Sequence, residues 1–267
     1  MNPATDCKIE IRDLTMAYGS FVVMRNINAR IRRGEIFIIM GASGCGKSTL
    51  LRHMIGLKQP AQGDVYYDGE AFWQSNEEAR TEKLRRFGVL FQSGALWSSM
   101  TLAENIELVL GEYTGFPPAE LHGIARLKLA LVGLKGFEDY YPAEISGGMC
   151  KRAGLARALA LDPDVLFFDE PSAGLDPISS RNLDNLILQL RDTLGATFVI
   201  VTHELASIFT IGDTSIFLDP NTRTMRASGN PRELLKASAD PAVQEFLTRG
   251  ESSAVANAAN PINSRAP

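Results

Sequence analysis

A glycine-rich segment at residues 41–48 constrains the fold of this chain more than any other part of the sequence. Its letters, GASGCGKS, lie between an apolar run at residues 36–40 and a run with helical spacing at residues 49–54. A buried strand, a glycine loop and a helix in this order form a phosphate-binding loop. The glycines let the backbone turn sharply and aim successive N–H groups at one anion, and the helix adds its positive dipole end.

The side chains of this segment suit a nucleoside triphosphate with Mg²⁺. Lys47 brings a positive charge to the β- and γ-phosphates, and Ser48 brings a hydroxyl that can ligate Mg²⁺. A glycine-rich turn without a ligand is the alternative, and the flanking strand and helix disfavour it. We predict that the nucleotide is bound by consecutive residues, namely Gly41, Ala42, Ser43, Gly44, Cys45, Gly46, Lys47, Ser48 and Thr49.

Length and composition fit a soluble globular protein with one large α/β domain or two small ones. The 267 residues are 45% hydrophobic and 22% charged, and the net charge of −4 gives no general electrostatic reason to bind nucleic acid. Three widely separated cysteines without CxxC spacing make a disulfide framework unexpected. Residues 1–6 lack signal-peptide character, and no apolar run approaches the ~18 residues that span a bilayer. We therefore expect a cytoplasmic chain that acts on a membrane only through a partner.

Up to residue 160, the sequence predicts an antiparallel sheet and a helical region in addition to the glycine loop. Alternating apolar residues between positions 8 and 40, and a hairpin turn at Asp68-Gly69, predict an antiparallel sheet that leads into the loop strand. Residues 101–160 are predicted to be mostly helical, and Thr101 with Glu104 has the spacing of a capping box.

The rest of the chain predicts a parallel sheet followed by a tail. Apolar runs at residues 165–168 and 197–201 enclose a helical pattern at residues 181–194, which is typical of a parallel α/β sheet. Residues 252–267 are rich in Ala, Asn, Ser and Pro with little to bury. We therefore place one domain at residues 1–247 and a flexible tail at residues 248–267.

Polar groups follow the ends of three predicted strands. Asp169 and Glu170 end the apolar run at 165–168, and ligands of an α/β sheet bind beyond the carboxyl ends of its strands. We expect Asp169 to hold Mg²⁺ and Glu170 to polarise the attacking water. His203 is predicted to donate a hydrogen bond to the γ-phosphate, and Gln92 to ligate Mg²⁺ or orient water. The alternative for Asp169 and Glu170 is a pair of solvated acids at a strand end, and the alternative for His203 is a purely structural histidine.

A second candidate anion site begins at Ser146. Ser is a favourable N-cap, and Gly147 and Gly148 leave the backbone N–H groups of the following helix uncovered. Two anion sites for one nucleotide are explained if two chains pair head to tail, each lending this second site to the phosphates of the other.

These motifs together resemble those of ATP-binding cassette (ABC) ATPases. They occur in the family's order within residues 9–247: the Walker A loop at residues 41–48, the Q-loop Gln92, the signature at residues 145–149, the Walker B Asp169 with the catalytic Glu170, the D-loop ending at Asp176, and the switch histidine His203. Tyr18 matches the aromatic residue that stacks on adenine. The resemblance implies a P-loop NTPase of α/β class, with a RecA-like core, an antiparallel β subdomain and a helical subdomain at about residues 93–160.

The same resemblance implies ligands and a quaternary structure. ATP and Mg²⁺ would be bound between two identical subunits, with Ser146, Gly147, Gly148 and Asp176 of one subunit facing the ATP of the other. Met149 stands where most members of the family have Gln.

A finer resemblance concerns the segments at residues 91–96, 146–152, 174–179 and 231–247. They are similar to the ATPases of bacterial phospholipid transporters that work with MCE-domain proteins, as in the maintenance-of-lipid-asymmetry system. This implies a motor subunit on the cytoplasmic face of the inner membrane. Its implied partners are an integral membrane permease, a periplasmic MCE-domain protein and a small cytoplasmic accessory subunit.

Three functions are compatible with the motifs. The first is a transporter motor, in which Leu96, Trp97 and Met100 form an apolar groove for a helix of the permease, unless they belong to the core. The second is a soluble ABC ATPase, of which the iron–sulfur assembly type is the nearest rival. The third is a kinase-like P-loop enzyme, in which the SGG helix and the D-loop would have no role.

Overall fold

The computed structural model describes residues 6–258, with side chains through residue 249. Within that range the chain forms ten strands and nine α-helices. The strands are β1 (Cys7–Tyr18), β2 (Phe21–Arg32), β3 (Ile36–Gly41), β4 (Gln62–Tyr67), β5 (Glu70–Ala71), β6 (Phe87–Leu90), β7 (Val165–Asp169), β8 (Thr197–Val201), β9 (Thr214–Asp219) and β10 (Thr224–Gly229). The helices are α1 (Lys47–Met54), α2 (Glu77–Leu84), α3 (Leu102–Tyr113), α4 (Pro118–Leu131), α5 (Gly147–Ala158), α6 (Pro177–Leu194), α7 (Leu205–Ile211), α8 (Pro231–Ala237) and α9 (Pro241–Ala258).

The central sheet has six strands in the order β10-β9-β3-β8-β7-β6. The five strands from β9 to β6 are parallel, and β10 joins the edge antiparallel to β9. Every residue of β3 and β8 is buried, as expected for parallel strands that are covered on both faces. The strand β8 separates β3, which leads into the glycine loop, from β7, which ends at Asp169. The predicted parallel α/β sheet is confirmed.

A second sheet is antiparallel and has the order β2-β1-β4-β5. The turn between β4 and β5 is made by Asp68 and Gly69, whose φ angles of 53° and 84° fit the hairpin turn that the sequence predicts. Ile9 and Ile11 on β1 share one apolar core with Phe37 on β3 and Leu50 on α1. This packing holds the antiparallel sheet against the central sheet beside the glycine loop.

The helical part consists of α3, α4 and α5. Thr101 and Glu104 form the predicted capping box at the start of α3, which gives that helix a fixed beginning. Leu102 on α3 and Leu129 on α4 belong to the same apolar core as Phe168 at the end of β7. The helical part is therefore packed on the central sheet close to the end that carries Asp169.

The structure extends the sequence predictions at two helices. Helix α6 begins at Pro177 rather than at residue 181, because Asp176 accepts hydrogen bonds from the N–H groups of Ile178 and Ser179 and Pro177 suits the first helical position. Helix α9 runs through Ala258 and so crosses the predicted domain end at residue 247. Residues 1–5 and 259–267, which include part of the predicted N-terminal segment and tail, lie outside the described residues, and the division at 247 stays a prediction. No helix within residues 6–258 has the length and apolar character needed to cross a membrane.

Candidate nucleotide-binding site

The glycine loop between β3 and α1 has a backbone that only glycine tolerates at two of its positions. Gly41 has φ 152°, and a Cβ atom there would lie 2.5 Å from the carbonyl oxygen of Leu218. Gly46 has φ 98° and caps α1, and a Cβ atom there would lie 2.9 Å from Val23. These constraints shape the loop around the N-terminus of α1, where unpaired N–H groups and the helix dipole favour an anion.

Lys47 is held inside the loop that it follows. Its Nζ atom donates hydrogen bonds to the carbonyl oxygens of Gly41 at 3.0 Å and Ala42 at 3.1 Å, and it lies 3.9 Å from Oε1 of Glu170. The side chain is 7% exposed, so this ammonium group is a poorly screened positive charge at the loop. Cys45 is also buried, and burial raises the pKa of its thiol, which identifies it as a packed residue rather than a reactive thiolate.

Ser48 and Asp169 meet where the first turn of α1 approaches the end of β7. The Ser48 hydroxyl donates a hydrogen bond of 2.8 Å to Oδ1 of Asp169. A hydroxyl and a carboxylate beside a phosphate loop are the oxygen ligands that Mg²⁺ prefers when phosphates and waters complete its shell. The donor atoms present therefore fit the ion that the sequence predicts.

Glu170 and His203 form a pair next to this point. Nδ1 of His203 lies 2.8 Å from each carboxylate oxygen of Glu170. Glu170 is 9% exposed and has φ 49°, a left-handed conformation that costs a non-glycine residue about 1–2 kcal/mol. Its N–H group donates to the carbonyl oxygen of Val201 at 2.8 Å, which fixes the residue to the end of β8. The carboxylate is thus held in one direction by both backbone and imidazole.

These groups surround a cavity of about 490 Å³. It is lined by Tyr18, Phe21, Val23, Ser43, Gly44, Gly46, Lys47, Ser48, Thr49, Gln92, Glu170 and His203. The cavity therefore brings together most of the residues that the sequence assigns to nucleotide, water and metal. Phe21 and Val23 also line the cavity, although the sequence does not predict them as site residues. Phe21 could have been found from the sequence, because it pairs with Tyr18 across the two-residue turn between β1 and β2.

The second predicted anion site does not line this cavity. Ser146 caps α5, where its hydroxyl accepts a hydrogen bond from the N–H group of Met149 at 3.2 Å. Asp176 caps α6, and hydrogen bonds from Ser179 hold the pKa of Asp176 below its ordinary value. A Cβ atom on Gly148 would lie 3.8 Å from Ser179, so the tips of α5 and α6 adjoin. The separation of the two sites is compatible with their serving different ATP molecules, which stays a prediction.

Two cations of α5 hold the segment after β6, and no local pattern in the sequence predicts their contacts. Lys151 donates a hydrogen bond to the carbonyl oxygen of Gln92, and burial lowers the pKa of this lysine. Arg157 donates to the carbonyl oxygens of Gly94 at 3.0 Å and Ala95 at 2.7 Å. The signature helix and the segment around Gln92 are thereby joined by charge-assisted hydrogen bonds.

The fold and this site together define a P-loop protein with a Walker-type arrangement. The family model described as "ABC transporter" matches residues 24–173, more than half of the chain, so the chain belongs to the ABC transporter family. The predicted family and fold class are confirmed.

Two curated relatives differ in length and name. The chain is 41% identical over 239 residues to the "Probable ribonucleotide transport ATP-binding protein mkl" of Mycobacterium tuberculosis, covering 90% of this chain but only 66% of that relative. It is 38% identical over 239 residues to the "Intermembrane phospholipid transport system ATP-binding protein MlaF" of Escherichia coli, covering 90% of this chain and 88% of that one.

Solved structures agree with the family. The ATP-binding cassette MJ0796, described as a dimer bound to ADP and Pi, is similar with a TM-score of 0.73 and 29% identity, covering 83% of this chain and 98% of that one. A cbiO1 structure from Clostridium perfringens has a TM-score of 0.79 at 24% identity, which supports the fold alone.

Proposed function

We propose that this chain binds and hydrolyses ATP with Mg²⁺ and drives a membrane transporter for phospholipid. The observation that carries the ATPase proposal is the Glu170–His203 pair, held 2.8 Å apart at the rim of a cavity that the glycine loop and Lys47 also line. A carboxylate near an anion cradle is the group that phosphoryl transfer to water requires.

Each functional group that lines the cavity then has a defined role. Lys47 and the loop N–H groups bind the β- and γ-phosphates, because both present positive charge to the cavity. Ser48 and Asp169, with Gln92 at the rim, would hold Mg²⁺, which neutralises charge on the phosphates when bound. Glu170 polarises the attacking water, and His203 keeps that carboxylate oriented through Nδ1; Nε2 donates a hydrogen bond to the γ-phosphate when the ring is the doubly protonated imidazolium. Tyr18 and Phe21 supply aromatic surface for adenine.

The active form in this proposal is a homodimer. Ser146, Gly147, Gly148 and Asp176 of one subunit would close over ATP held by the other, which explains why they lie outside the subunit's own cavity. The MJ0796 cassette is described as dimeric in two structures, at 29% and 30% identity to this chain. These relatives support the dimer.

Phospholipid is the proposed cargo because MlaF matches across nearly all of both chains, whereas about a third of mkl has no counterpart here. The implied location is the cytoplasmic face of the inner membrane. The implied partners are a permease, an MCE-domain protein and a small accessory subunit. Trp97 is 58% exposed beside the partly buried Leu96 and Met100, which supports the predicted permease groove.

The rival functions have less support. The relatives reported above carry transport names, and the iron–sulfur assembly alternative is not supported by them. A kinase-like enzyme would transfer phosphate to an acceptor and would need no second anion site on α5.

The test combines copurification with reconstitution. The tagged chain is purified from solubilised membranes, its partners are identified by mass spectrometry, and the complex is placed in vesicles with fluorescent phospholipid. We expect a polytopic membrane protein to copurify and ATP-dependent phospholipid movement that Glu170→Gln abolishes. Copurification of soluble assembly factors alone, or phosphorylation of a small molecule in place of phosphate release, would contradict the proposal.

A further inference from the structure

A buried carboxylate outside the nucleotide cavity joins two helices of the catalytic region. Asp184 lies on α6 and is 4% exposed, and Ser207 lies on α7 and is 3% exposed. The Ser207 hydroxyl donates a hydrogen bond of 2.9 Å to Oδ2 of Asp184. Among residues 6–249, this is the one side-chain hydrogen bond that connects α6 with α7.

The placement of this carboxylate is costly to the fold. Burial raises the pKa of Asp184 from 3.8 to about 6, the negative charge of Glu204 adds to the rise, and the hydrogen bond from Ser207 opposes it. An apolar side chain of similar size would avoid this cost, since buried ionic groups are often less stabilising than well-packed hydrophobic ones. The position of the hydrogen bond therefore points to a role other than stability.

The hydrogen bond between Ser207 and Asp184 lies about one helical turn from His203. His203 lies between the end of β8 and the start of α7, and Ser207 follows it by four positions. Thr202 is fully buried and its hydroxyl accepts a hydrogen bond from the N–H group of Glu204, so the connection between strand and helix is short and tight. A rotation of α7 about its own axis would therefore displace His203.

The apolar contacts of α7 restrain its rotation without a preferred direction. Helix α7 has only seven residues; Ile208 and Ile211 are buried, and Leu205 and Phe209 are partly buried against the same core. Hydrophobic contacts are non-directional, whereas a hydrogen bond has a narrow range of distance and angle. The hydrogen bond to Asp184 thus adds a directional restraint on the rotation of α7 that these apolar contacts do not supply.

We propose that Asp184 is a positioning residue, which through Ser207 fixes the rotation of α7 and thereby keeps His203 in contact with Glu170. This rests on the proposed ATPase function, since it assigns His203 a catalytic task. The carboxylate acts on the reaction only through the helix.

The kinetic test uses three variants of the full chain. Ser207→Ala removes the donor, Asp184→Leu removes the acceptor, and Asp184→Asn keeps an acceptor oxygen. We expect the first two to lower kcat about tenfold, because displacements of around 1 Å can cost up to about 100-fold, while the Kd for ATP stays unchanged. The Asn variant should keep kcat within about threefold of the wild type.

Two controls separate positioning from stability. Ser215→Ala deletes another buried hydroxyl, which donates to the carbonyl oxygen of Gly229 at 2.8 Å and joins β9 to β10. It should lower the melting temperature without changing kcat. In a His203→Ala background, Ser207→Ala should cause no further loss, because residues that act through one group are not additive.

A second readout needs no turnover. The chain has three histidines, so the ring signals of His203 can be assigned in an NMR spectrum by comparison with His203→Ala. Ser207→Ala should shift them and Ser215→Ala should not. Unchanged ring signals, or an unchanged kcat in Ser207→Ala while the wild type is active, would overturn the positioning role. An inactive wild type with shifted signals would instead overturn the proposed function and leave the helix contact supported.

Discussion

Replacing Asp184 by Asn measures what the buried carboxylate costs the folded chain. Its pKa in the folded chain is about 6, whereas the ordinary value is 3.8. The folded form therefore holds this proton more tightly than the unfolded form does. The penalty is absent below pH 3.8, grows as the pH rises, and is complete above pH 6.

The size of the penalty follows from the difference between the two pKa values. It is about 3 kcal/mol when complete, of which about half develops between pH 5.0 and 7.5. Asn carries no charge, so its own hydrogen-bonding cost is the same at both pH values and cancels in the comparison. The stability of Asp184→Asn relative to the wild type should thus increase by about 1.5 kcal/mol, or about 4 °C in melting temperature, over this range.

The assay is thermal melting of both proteins at several pH values between 5.0 and 7.5. Asp192→Asn is the matched control, because that side chain lies on the same helix and is 66% exposed. We expect its melting temperature to follow the wild type. Parallel curves for Asp184→Asn and the wild type would show that Asp184 is not a buried charge with a raised pKa.

Four other substitutions test separate parts of the structure. Lys47→Ala should weaken ATP binding about 100-fold through loss of a charge-assisted contact, and an unchanged Kd in a titration would count against the loop assignment. Ser146→Arg removes the N-cap of α5 and should cost the fold about 1 kcal/mol, yet the chain should stay folded and fail to dimerise with ATP in light scattering; a normal dimer would remove the tip of α5 from the interface. Gly154→Ala should destabilise by about 1–3 kcal/mol, because its Cβ atom would lie 3.0 Å from the carbonyl oxygen of Gly94. Gly123→Ala, at an open helical position, should raise the melting temperature instead.

The parts of the site that the sequence predicts are those with local signals. The glycine loop, and Asp169 and Glu170 at a strand end, are recognised from a few adjacent residues. His203 is predicted because it follows a buried strand, and the parallel sheet brings such ends to one edge. The capping box at Thr101 is likewise a signal four residues long, and the structure has it as predicted.

The contacts that were missed join residues far apart in the chain. Lys151 reaches the carbonyl oxygen of Gln92 across 59 positions, and Ser207 reaches Asp184 across 23. Neither pair produces a periodic pattern in the sequence. Each partner is placed on its helix or at its strand end by local features that do not depend on the other partner. Helix α2 was missed for another reason, since none of its residues is buried and an amphipathic pattern is therefore absent.

In the proposed mechanism, two copies of the chain must close around ATP before Glu170 acts. The most direct measurement is the molar mass of Glu170→Gln in the presence of Mg²⁺ and ATP, by light scattering, together with its rate of phosphate release. We predict a stable dimer with near-normal ATP binding and turnover reduced by about 10²–10³-fold. A variant that stays monomeric with ATP even alongside its membrane partner, or one that hydrolyses ATP at the wild-type rate, would contradict the homodimer mechanism.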